Sequence, residues 1–197
     1  MPQQIVIASH NAHKVEEISY LLGDAGWEVL SLEAFPEIGD IEETGITFEE
    51  NALIKANEVF ARTNLLTISD DSGLEVDYLD GAPDVYSARY AGLDKSDSAN
   101  NSKLLNALKD VPESQRGAQF RCVAAIVAQN YQKVVEGIVR GKIGEGVTGS
   151  SGFGYDPLFI PDGYDISFGE FDPADKHAIS HRGIAFMRVK QVLMSEF

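Results

Sequence analysis

Neighbouring carboxylates are the residues of this sequence whose types and spacing most directly suggest chemistry. Asp70 and Asp71 follow an apolar stretch and precede a serine and a glycine, and Glu42 and Glu43 form a second pair upstream. Adjacent carboxylates repel each other unless a cation or hydrogen bonds neutralise their charge. One or two carboxylates can bind Mg²⁺ when the phosphates of a substrate supply other ligands. The pattern predicts such a site, with an aspartate placed to take a proton from water, and a solvated acidic turn is the alternative interpretation.

An anion-binding pattern lies near the start of the sequence. Residues 9–14 join a short apolar segment to a predicted helix, and Lys14 falls in the first turn of that helix. The first N–H groups of a helix and its dipole favour an anion at the N-terminus, and a lysine adds a positive charge. The segment predicts an anion-binding site, with an ordinary helix cap as the alternative.

A glycine-rich loop over residues 149–157 could bind a planar base. Three glycines let the backbone approach a ligand, Phe153 and Tyr155 could stack on the base, and Asp156 could accept hydrogen bonds from its edge. The spacing fits neither the P-loop pattern G-x-x-x-x-G-K-[ST] nor a dinucleotide-binding fingerprint. A tight turn is the alternative interpretation.

Basic residues cluster near the end of the sequence. Lys176 and Arg182 flank His177 and His181 in an otherwise acidic chain, and Arg182 could bind a phosphate or carbonyl through two hydrogen bonds. The two histidines have the spacing of a zinc pair, but no third ligand accompanies them, so anion binding is the preferred interpretation. Lys55 is a further candidate, for which a solvated helix face is the alternative.

Strands and helices must alternate to position these residues. Hydrophobic periodicity predicts helices after residue 11, after Thr47, near residues 98–108 and over about residues 182–195. Thr47 and Glu50 have the spacing of a capping box. Residues 144–163 are predicted to be loop. The predicted strands cover residues 5–8, 27–32, 65–69, 118–128 and 133–143, with the last two as a hairpin, and residues 74–78 are predicted to continue extended after the acidic pair. This pattern predicts an α/β fold with a mixed sheet.

Composition limits the classes of partner. Of 197 residues, 16 are Lys or Arg and 31 are Asp or Glu, and the formal net charge is −15. Such a surface repels polymeric nucleic acid and anionic membranes, which leaves small molecules as the expected partners. The single cysteine, Cys122, lies in an apolar run and is predicted to fill the core. No apolar run approaches the ~20 residues that span a bilayer, so a cytoplasmic location is expected.

Six segments together resemble, in order, the motifs of the inosine/xanthosine triphosphate pyrophosphatase family, which hydrolyses non-standard purine nucleoside triphosphates. The resemblance extends from about residue 6 to residue 190. The matching segments are Ser9-x-Asn11-x-x-Lys14, Glu43-Thr-Gly-x-Thr-Phe-x-Glu-Asn-Ala52, Asp70-Asp-Ser-Gly-Leu74, Gly81-Ala-Pro83 with Ser87-Ala-Arg-Tyr-Ala-Gly92, Gly152-Phe-Gly-Tyr-Asp-Pro157 and Ile179-Ser-His-Arg-x-x-Ala185.

The resemblance implies a fold, a reaction and an assembly. The fold would be a long curved mixed β-sheet flanked by helices, in one domain over residues 1–197 with two lobes and a cleft between them. The reaction would convert XTP, ITP or dITP to the monophosphate and pyrophosphate, which removes deaminated purines from the nucleotide pool. The assembly would be a homodimer.

The resemblance also implies roles for single residues. Asp71 would be the general base and, with Glu43, would bind Mg²⁺, although Glu42 is adjacent and stays open as the ligand. Phe153 would stack on the purine. The residues expected to bind substrate are Ser9, His10, Asn11, Ala12, His13, Lys14, Lys55, Ser72, Phe153, Gly154, Tyr155, Asp156, Lys176, His181 and Arg182.

Other functions fit parts of the pattern. A pyrophosphatase acting on modified pyrimidine nucleotides would differ in its base specificity. A nucleotide-binding regulator would bind without turnover, and a plain interaction domain would make the polar clusters accidental. The sequence also leaves open how GTP, which shares the 6-oxo group, would be rejected.

Overall fold

The computed structural model describes residues 3–23 and 26–197, and Met1, Pro2, Asp24 and Ala25 lie outside the described residues. The strands are β1 (Gln3–Ile7), β2 (Trp27–Ser31), β3 (Leu66–Val76), β4 (Gly117–Ala128), β5 (Tyr131–Ile143) and β6 (Phe159–Pro161). The α-helices are α1 (Ala12–Leu22), α2 (Phe48–Thr63), α3 (Asp97–Ala107), α4 (Pro173–Ile179) and α5 (His181–Glu196).

Within the described residues, six strands form one mixed sheet in the order β2-β1-β3-β4-β5-β6. β1 pairs in parallel with both β2 and β3, whereas β5 and β6 are antiparallel. A two-residue turn joins the neighbouring strands β4 and β5, so this pair is antiparallel. Asn130 in that turn has φ 60°, a left-handed conformation that asparagine tolerates. The predicted α/β class, mixed sheet and hairpin are confirmed.

Strand β3 is longer than predicted. The sequence predicted a strand that ends at residue 69, with the acidic pair after it and extended backbone again from residue 74, but β3 continues without a break to Val76. Asp70 and Asp71 therefore lie inside the strand, where successive side chains point to opposite faces of the sheet. Both are buried. The solvated-turn alternative is therefore wrong, because Lys14 and Arg182 neutralise Asp70, and Lys55 neutralises Asp71, inside the protein.

The helices α1 and α2 begin at the predicted caps. The Asn11 side chain accepts a hydrogen bond from the backbone N of Lys14 at 3.2 Å, and Thr47 Oγ1 accepts one from the backbone N of Glu50 at 3.1 Å. The carboxylate of Glu50 accepts from the backbone N of Ile46, one residue before the partner that a capping box predicts. These caps fix where the predicted phosphate-binding segment and the acidic loop meet their helices.

The end of the chain contains two helices instead of one. The sequence predicted a helix from about residue 182, and α5 confirms it, but α4 precedes it and was not predicted. Ser180 separates the two helices in an extended conformation. The short strand β6 likewise lies in a segment that was predicted to be loop.

The chain divides into two compact units. The first comprises Met1–Asp71, Cys122–Gly137 and Arg182–Phe197, and the second comprises Ser72–Arg121 and Ile138–His181. Each unit has its own apolar core. The core of the first unit includes Cys122, as predicted for a thiol that fills space, and burial raises the pKa of that thiol. None of the described helices has the length and apolar character needed to cross a membrane.

Candidate active site

Lys55 joins the two carboxylates that were predicted to bind a metal. In the first unit its Nζ lies 2.5 Å from Glu43 Oε1 and 3.5 Å from Asp71 Oδ1. Lys55 is on the buried face of α2, so the alternative of a solvated helix face is wrong. Glu42 is exposed, whereas Glu43 contacts the same ammonium group as Asp71. This contact favours Glu43 over Glu42 as the second carboxylate of the site.

The pKa values of Lys55 and Asp71 are both raised, but for different reasons. Burial raises the pKa of the Asp71 carboxyl, because desolvation outweighs the attraction of Lys55 and Lys14. Burial alone would lower the pKa of Lys55, but the negative charges of Asp71, Glu43 and Asp70 outweigh it and the pKa is raised. Lys55 therefore stays protonated, and Asp71 is a stronger base than an exposed aspartate.

The donor set around Lys55 fits a magnesium ion that also binds phosphate. Glu43 and Asp71 present carboxylate oxygens to one cationic centre, and such oxygens are the ligands that Mg²⁺ prefers. Among the described residues, no group of three His, Cys, Asp or Glu side chains could hold a metal ion by itself. The two carboxylates therefore suit an ion that obtains its other ligands from substrate and water.

The predicted phosphate-binding segment surrounds the N-terminus of α1. Ser9 Oγ accepts a hydrogen bond from the backbone N of Asn11 at 3.2 Å, and His10 Nε2 lies 2.7 Å from the carbonyl oxygen of Gly39. Ala12 and His13 are exposed in the first turn. The side chains of Ser9 and Asn11 thus shape the start of the helix, as the cap alternative predicted. This arrangement is compatible with the phosphate-binding prediction, which concerns the N–H groups of the first turn.

A buried ionic cluster lies next to that segment. Asp70 Oδ2 is 3.2 Å from Lys14 Nζ and 3.2 Å from Arg182 Nη2, and Arg182 Nη1 is 2.5 Å from Glu17 Oε2. Burial alone would raise the pKa of Asp70, but the positive charges of Lys14 and Arg182 outweigh it and hold the pKa well below its usual range. Asp70 therefore stays ionised inside the first unit.

Arg182 occupies a different environment from the one predicted. The family resemblance implied that it contacts the base edge or phosphates, but its side chain is 2% exposed and binds two carboxylates of the first unit. Substrate binding by Arg182 would require it to exchange one of these partners. Glu17 was not predicted at all. In the sequence, Glu17 is marked only by its position three residues after Lys14, on a predicted helix whose apolar face is otherwise regular.

The predicted base-binding loop is held together by Asp156 in the second unit. Asp156 Oδ2 accepts hydrogen bonds from the backbone N of Phe153 at 2.8 Å and from Lys176 Nζ at 2.6 Å. A Cβ at Gly152 would lie 2.1 Å from the same oxygen, and its φ is +75°, so glycine is required there. Lys176 Nζ is 5.2 Å from the centre of the Phe153 ring. Asp156 thus positions Phe153 and Lys176 by binding both.

Tyr155 does not have the predicted orientation. Its ring is buried in the core of the second unit, and its hydroxyl donates to the carbonyl oxygen of Ser87 at 2.8 Å. Stacking of a base on Tyr155 was therefore a wrong prediction, because the ring packs in the apolar core and its hydroxyl is bound to Ser87. Phe153 is the aromatic residue of the loop that remains partly exposed.

Two residues of α3 hold the loop and were missed by sequence reasoning. The carboxylate of Asp97 accepts from the backbone N of Gly154 at 2.8 Å, and Asn101 Nδ2 donates to the carbonyl oxygen of Gly154 at 3.0 Å. The two side chains are four residues apart and share one face of the helix. Their spacing is visible in the sequence, but nothing there indicates which backbone they bind.

His181 and Ser72 complete the predicted positions of the second unit. His181 is buried at the first position of α5, with its ring stacked on Phe120 at 4.6 Å between centres. Ser72 is partly buried in β3.

His177 lies in α4, and the break at Ser180 removes the helical register that a zinc pair with His181 needs. The structure therefore does not support the zinc alternative.

Comparison with known proteins identifies the family. A model of the Ham1 family matches residues 5–192 of the chain. The chain belongs to the Ham1 family. It is 48% identical over 199 residues to a dITP/XTP pyrophosphatase of Clostridium perfringens, with 97% of each chain covered, and 46% identical over 191 residues to one of Desulforamulus reducens, with 96% of this chain and 95% of that one covered.

The fold of this Ham1 chain agrees with solved structures. The Staphylococcus aureus Ham1 protein is similar with a TM-score of 0.89 and 40% identity, and the match covers 99% of this chain and 100% of that one. The resemblance that six ordered motifs suggested is therefore confirmed over nearly the whole chain.

Proposed function

We propose that this Ham1 chain hydrolyses XTP, ITP and dITP to the nucleoside monophosphate and pyrophosphate. The observation that carries the proposal is the contact of Glu43 and Asp71 with one buried ammonium group, that of Lys55. Two carboxylates with a fixed cation suit the hydrolysis of a polyphosphate assisted by a metal ion. The names of the relatives, dITP/XTP pyrophosphatases at 46–48% identity, support the choice of substrate.

The phosphates would bind at the N-terminus of α1, beside Lys14. Residues 9–14 offer backbone N–H groups there, and Lys14 Nζ lies 3.2 Å from Asp70 Oδ2. A triphosphate carries more negative charge than one carboxylate, so it would compete with Asp70 for this ammonium group. Lys14 would then neutralise charge on the departing pyrophosphate.

Glu43 and Asp71 are the residues that would hold Mg²⁺. When bound, Mg²⁺ neutralises phosphate charge and lowers the pKa of a coordinated water. Lys55 would keep the two carboxylates close to each other when no metal ion is bound, because its ammonium group contacts both.

Asp71 would act as the general base. It accepts a proton from the attacking water as the new oxygen–phosphorus bond forms at the α-phosphorus, and the bond from the α-phosphorus to the pyrophosphate oxygen breaks. General-base catalysis typically contributes about 10²- to 10⁴-fold in rate. The raised pKa of Asp71 supports this role, because a more basic carboxylate accepts the proton more readily.

Phe153 and its neighbours would select the base. Phe153 would stack on the purine, and Lys176, which can only donate hydrogen bonds, lies beside that ring. A 6-oxo group accepts from such a donor, whereas the 6-amino group of ATP would face it without forming a hydrogen bond. His181 is a second candidate donor in the same unit. An unpaired buried polar group costs about 1–3 kcal/mol, which would favour 6-oxo purines over adenine.

We also propose that the active protein is a cytoplasmic homodimer, as the family resemblance implies. The second unit exposes several large apolar side chains that a partner subunit could cover, namely Tyr78, Tyr86 and Leu93. A location in the cytoplasm would give the enzyme access to the nucleotide pool. Sedimentation equilibrium tests the assembly, and a monomer at micromolar concentration would contradict it.

A product assay with Mg²⁺ tests the reaction. ITP, XTP, ATP, GTP and a modified pyrimidine triphosphate are compared, and pyrophosphate is resolved from single phosphate. Pyrophosphate from ITP and XTP with little from the others is expected. Release of single phosphate would contradict attack at the α-phosphorus, preference for the pyrimidine would contradict the purine assignment, and binding without turnover would overturn the enzymatic function.

A further inference from the structure

Asn51 connects the loop that carries Glu43 to Asp71. It lies in the first turn of α2 and is 1% exposed. Its Oδ1 accepts a hydrogen bond from the backbone N of Gly45 at 2.8 Å, and its Nδ2 donates to Asp71 Oδ2 at 3.1 Å. One side-chain amide therefore binds both the loop and the carboxylate that would act as the base.

The chemistry of the partners fixes the orientation of this amide. The backbone N–H of Gly45 can only donate, so the atom of Asn51 that faces it must be the oxygen. The NH₂ group must then point the other way, toward Asp71, where a carboxylate oxygen accepts it. Both polar ends of Asn51 are satisfied in this orientation, whereas the flipped amide would leave two donors facing each other.

The loop approaches Asn51 closely only because residue 45 is glycine. A Cβ at Gly45 would lie 2.7 Å from Asn51 Oδ1 and 2.6 Å from the Cβ of Glu50. Lys55, one turn along α2, makes a parallel connection, because it binds Glu43 in the loop and Asp71 in β3. The two side chains share one face of the helix, and each bridges the loop to the same aspartate.

We propose that Asn51 is a positioning residue, which holds the Asp71 carboxylate and the loop bearing Glu43 in the arrangement that hydrolysis requires. The proposal rests on the proposed function. Lys55 attracts Asp71 through charge, which tolerates many orientations, whereas the hydrogen bond from Asn51 selects one oxygen. Asn51 donates to Oδ2, so Oδ1 is the oxygen that remains near Lys55.

The substitution Asn51→Asp separates the two connections. Aspartate has the same shape and keeps an oxygen that accepts from Gly45, but it replaces the donor to Asp71 with a second acceptor. We expect kcat for ITP to fall about 10- to 100-fold while KM stays within about twofold, because misplacement affects the reacting group more than substrate binding. Asn57→Asp is the matched control, since Asn57 is exposed on the same helix, and it should leave kcat unchanged.

Hydrogen exchange of the Gly45 amide adds a measurement that needs no turnover. In Asn51→Asp the amide should stay protected, because its acceptor remains. In Asn51→Leu, which removes both connections, its exchange should accelerate by about tenfold or more while the core amides stay protected.

Three results would overturn the proposal. One is Asn51→Asp with a kcat within about twofold of the wild-type value, and another is a fall in kcat with a parallel rise in KM. The third is exchange of Gly45 that is as fast in Asn51→Asp as in Asn51→Leu, since Asn51 would then only support the loop. If the wild-type protein hydrolyses neither ITP nor XTP, the proposed function fails instead. The exchange of Gly45 in the wild type and in Asn51→Leu then still decides whether the bridge exists.

Discussion

Arg182 binds Asp70 across 112 positions of sequence, with Nη2 3.2 Å from Oδ2, and the same carboxylate oxygen lies 3.2 Å from Lys14 Nζ. Asp70 is thus the anion around which two distant basic residues assemble in the first unit. Because all three groups are largely removed from water, the loss of one partner would leave the others buried without full compensation.

The first prediction concerns stability. Asp70→Asn should lower the free energy of unfolding by about 3–5 kcal/mol, because Arg182 and Lys14 would lose their shared counter-charge in a buried site. Urea denaturation measures this change. Asp77→Asn is the control, since Asp77 pairs with Arg140 on the surface and its loss should cost about 0–1 kcal/mol. Equal losses in the two variants would contradict the importance of the buried cluster.

The second prediction concerns pH. The pKa of Asp70 is held below its ordinary value of 3.8, so its contribution to stability is complete above that value and declines as pH falls toward the lower pKa of the folded state. In magnesium-free buffer, the difference in unfolding free energy between wild type and Asp70→Asn should be constant above about pH 5 and should shrink below it. If this difference in unfolding free energy grew as the pH falls, the pKa of Asp70 would be raised in the folded state and not lowered.

The third prediction concerns the general base. Asp71→Asn should reduce kcat by about 10²-fold or more, because the amide cannot accept the proton from water. The melting temperature should not fall in magnesium-free buffer, since burial already disfavours the charged form of Asp71. Asp110→Asn, an exposed change of the same type, serves as the control for activity. Full activity of Asp71→Asn would remove Asp71 from the mechanism.

The fourth prediction concerns base stacking. Phe153→Ala should raise KM for ITP by roughly 5- to 150-fold, which corresponds to the loss of about 1–3 kcal/mol of stacking. Tyr155→Phe should leave KM unchanged and lower stability by about 1 kcal/mol, because it removes only the hydrogen bond to Ser87. Steady-state kinetics and urea denaturation give both quantities. An unchanged KM in Phe153→Ala, or a raised one in Tyr155→Phe, would reverse the assignment of the two aromatic residues.

The fifth prediction concerns the connection between α3 and the base loop. Asn101→Ala should raise KM for ITP, because the carbonyl oxygen of Gly154 loses its donor and Phe153 is no longer held in place. If Asn101 acts through Phe153, the double variant with Phe153→Ala should bind ITP no more weakly than Phe153→Ala alone. Additive effects in this double-mutant cycle would show that Asn101 acts independently.

Local patterns in the sequence predicted the features that depend on near neighbours. The cap at Thr47, the helix after Asn11 and the hairpin around Asn130 each depend on residues a few positions apart, and the structure confirms them. The family resemblance, and with it the fold, followed from six motifs in order. Long-range pairing was not visible in this way, because no local pattern indicates that Asp70 meets Arg182 or that Asp97 binds Gly154.

The sequence predicted which residues form the candidate site more accurately than it predicted which partners those residues contact. Glu43 and Asp71 were predicted to share one site, and both contact the ammonium group of Lys55. Adjacent residues such as Glu42 and Glu43 could not be separated by sequence, since a shift of one position decides which side chain faces inward. The burial of Tyr155 was not predicted, because its hydroxyl binds the carbonyl oxygen of Ser87, which lies 68 positions away in the sequence. The bridging amide of Asn51 was not predicted, because no local pattern indicates that this side chain meets both Gly45 in the loop and Asp71 in β3.

The three-segment composition of the first unit has a consequence for synthesis on the ribosome. This unit needs residues up to Asp71, the segment Cys122–Gly137 and the segment that begins with Arg182, whereas the second unit is complete at His181. A nascent chain therefore contains all of the second unit before Arg182, one of the two cationic partners of Asp70, has been translated. Until then Asp70 lacks its guanidinium partner, and burial of β1 and β3 around it would be unfavourable. The second unit can therefore complete its core before the first unit has all of its segments, although the first unit begins earlier in the chain.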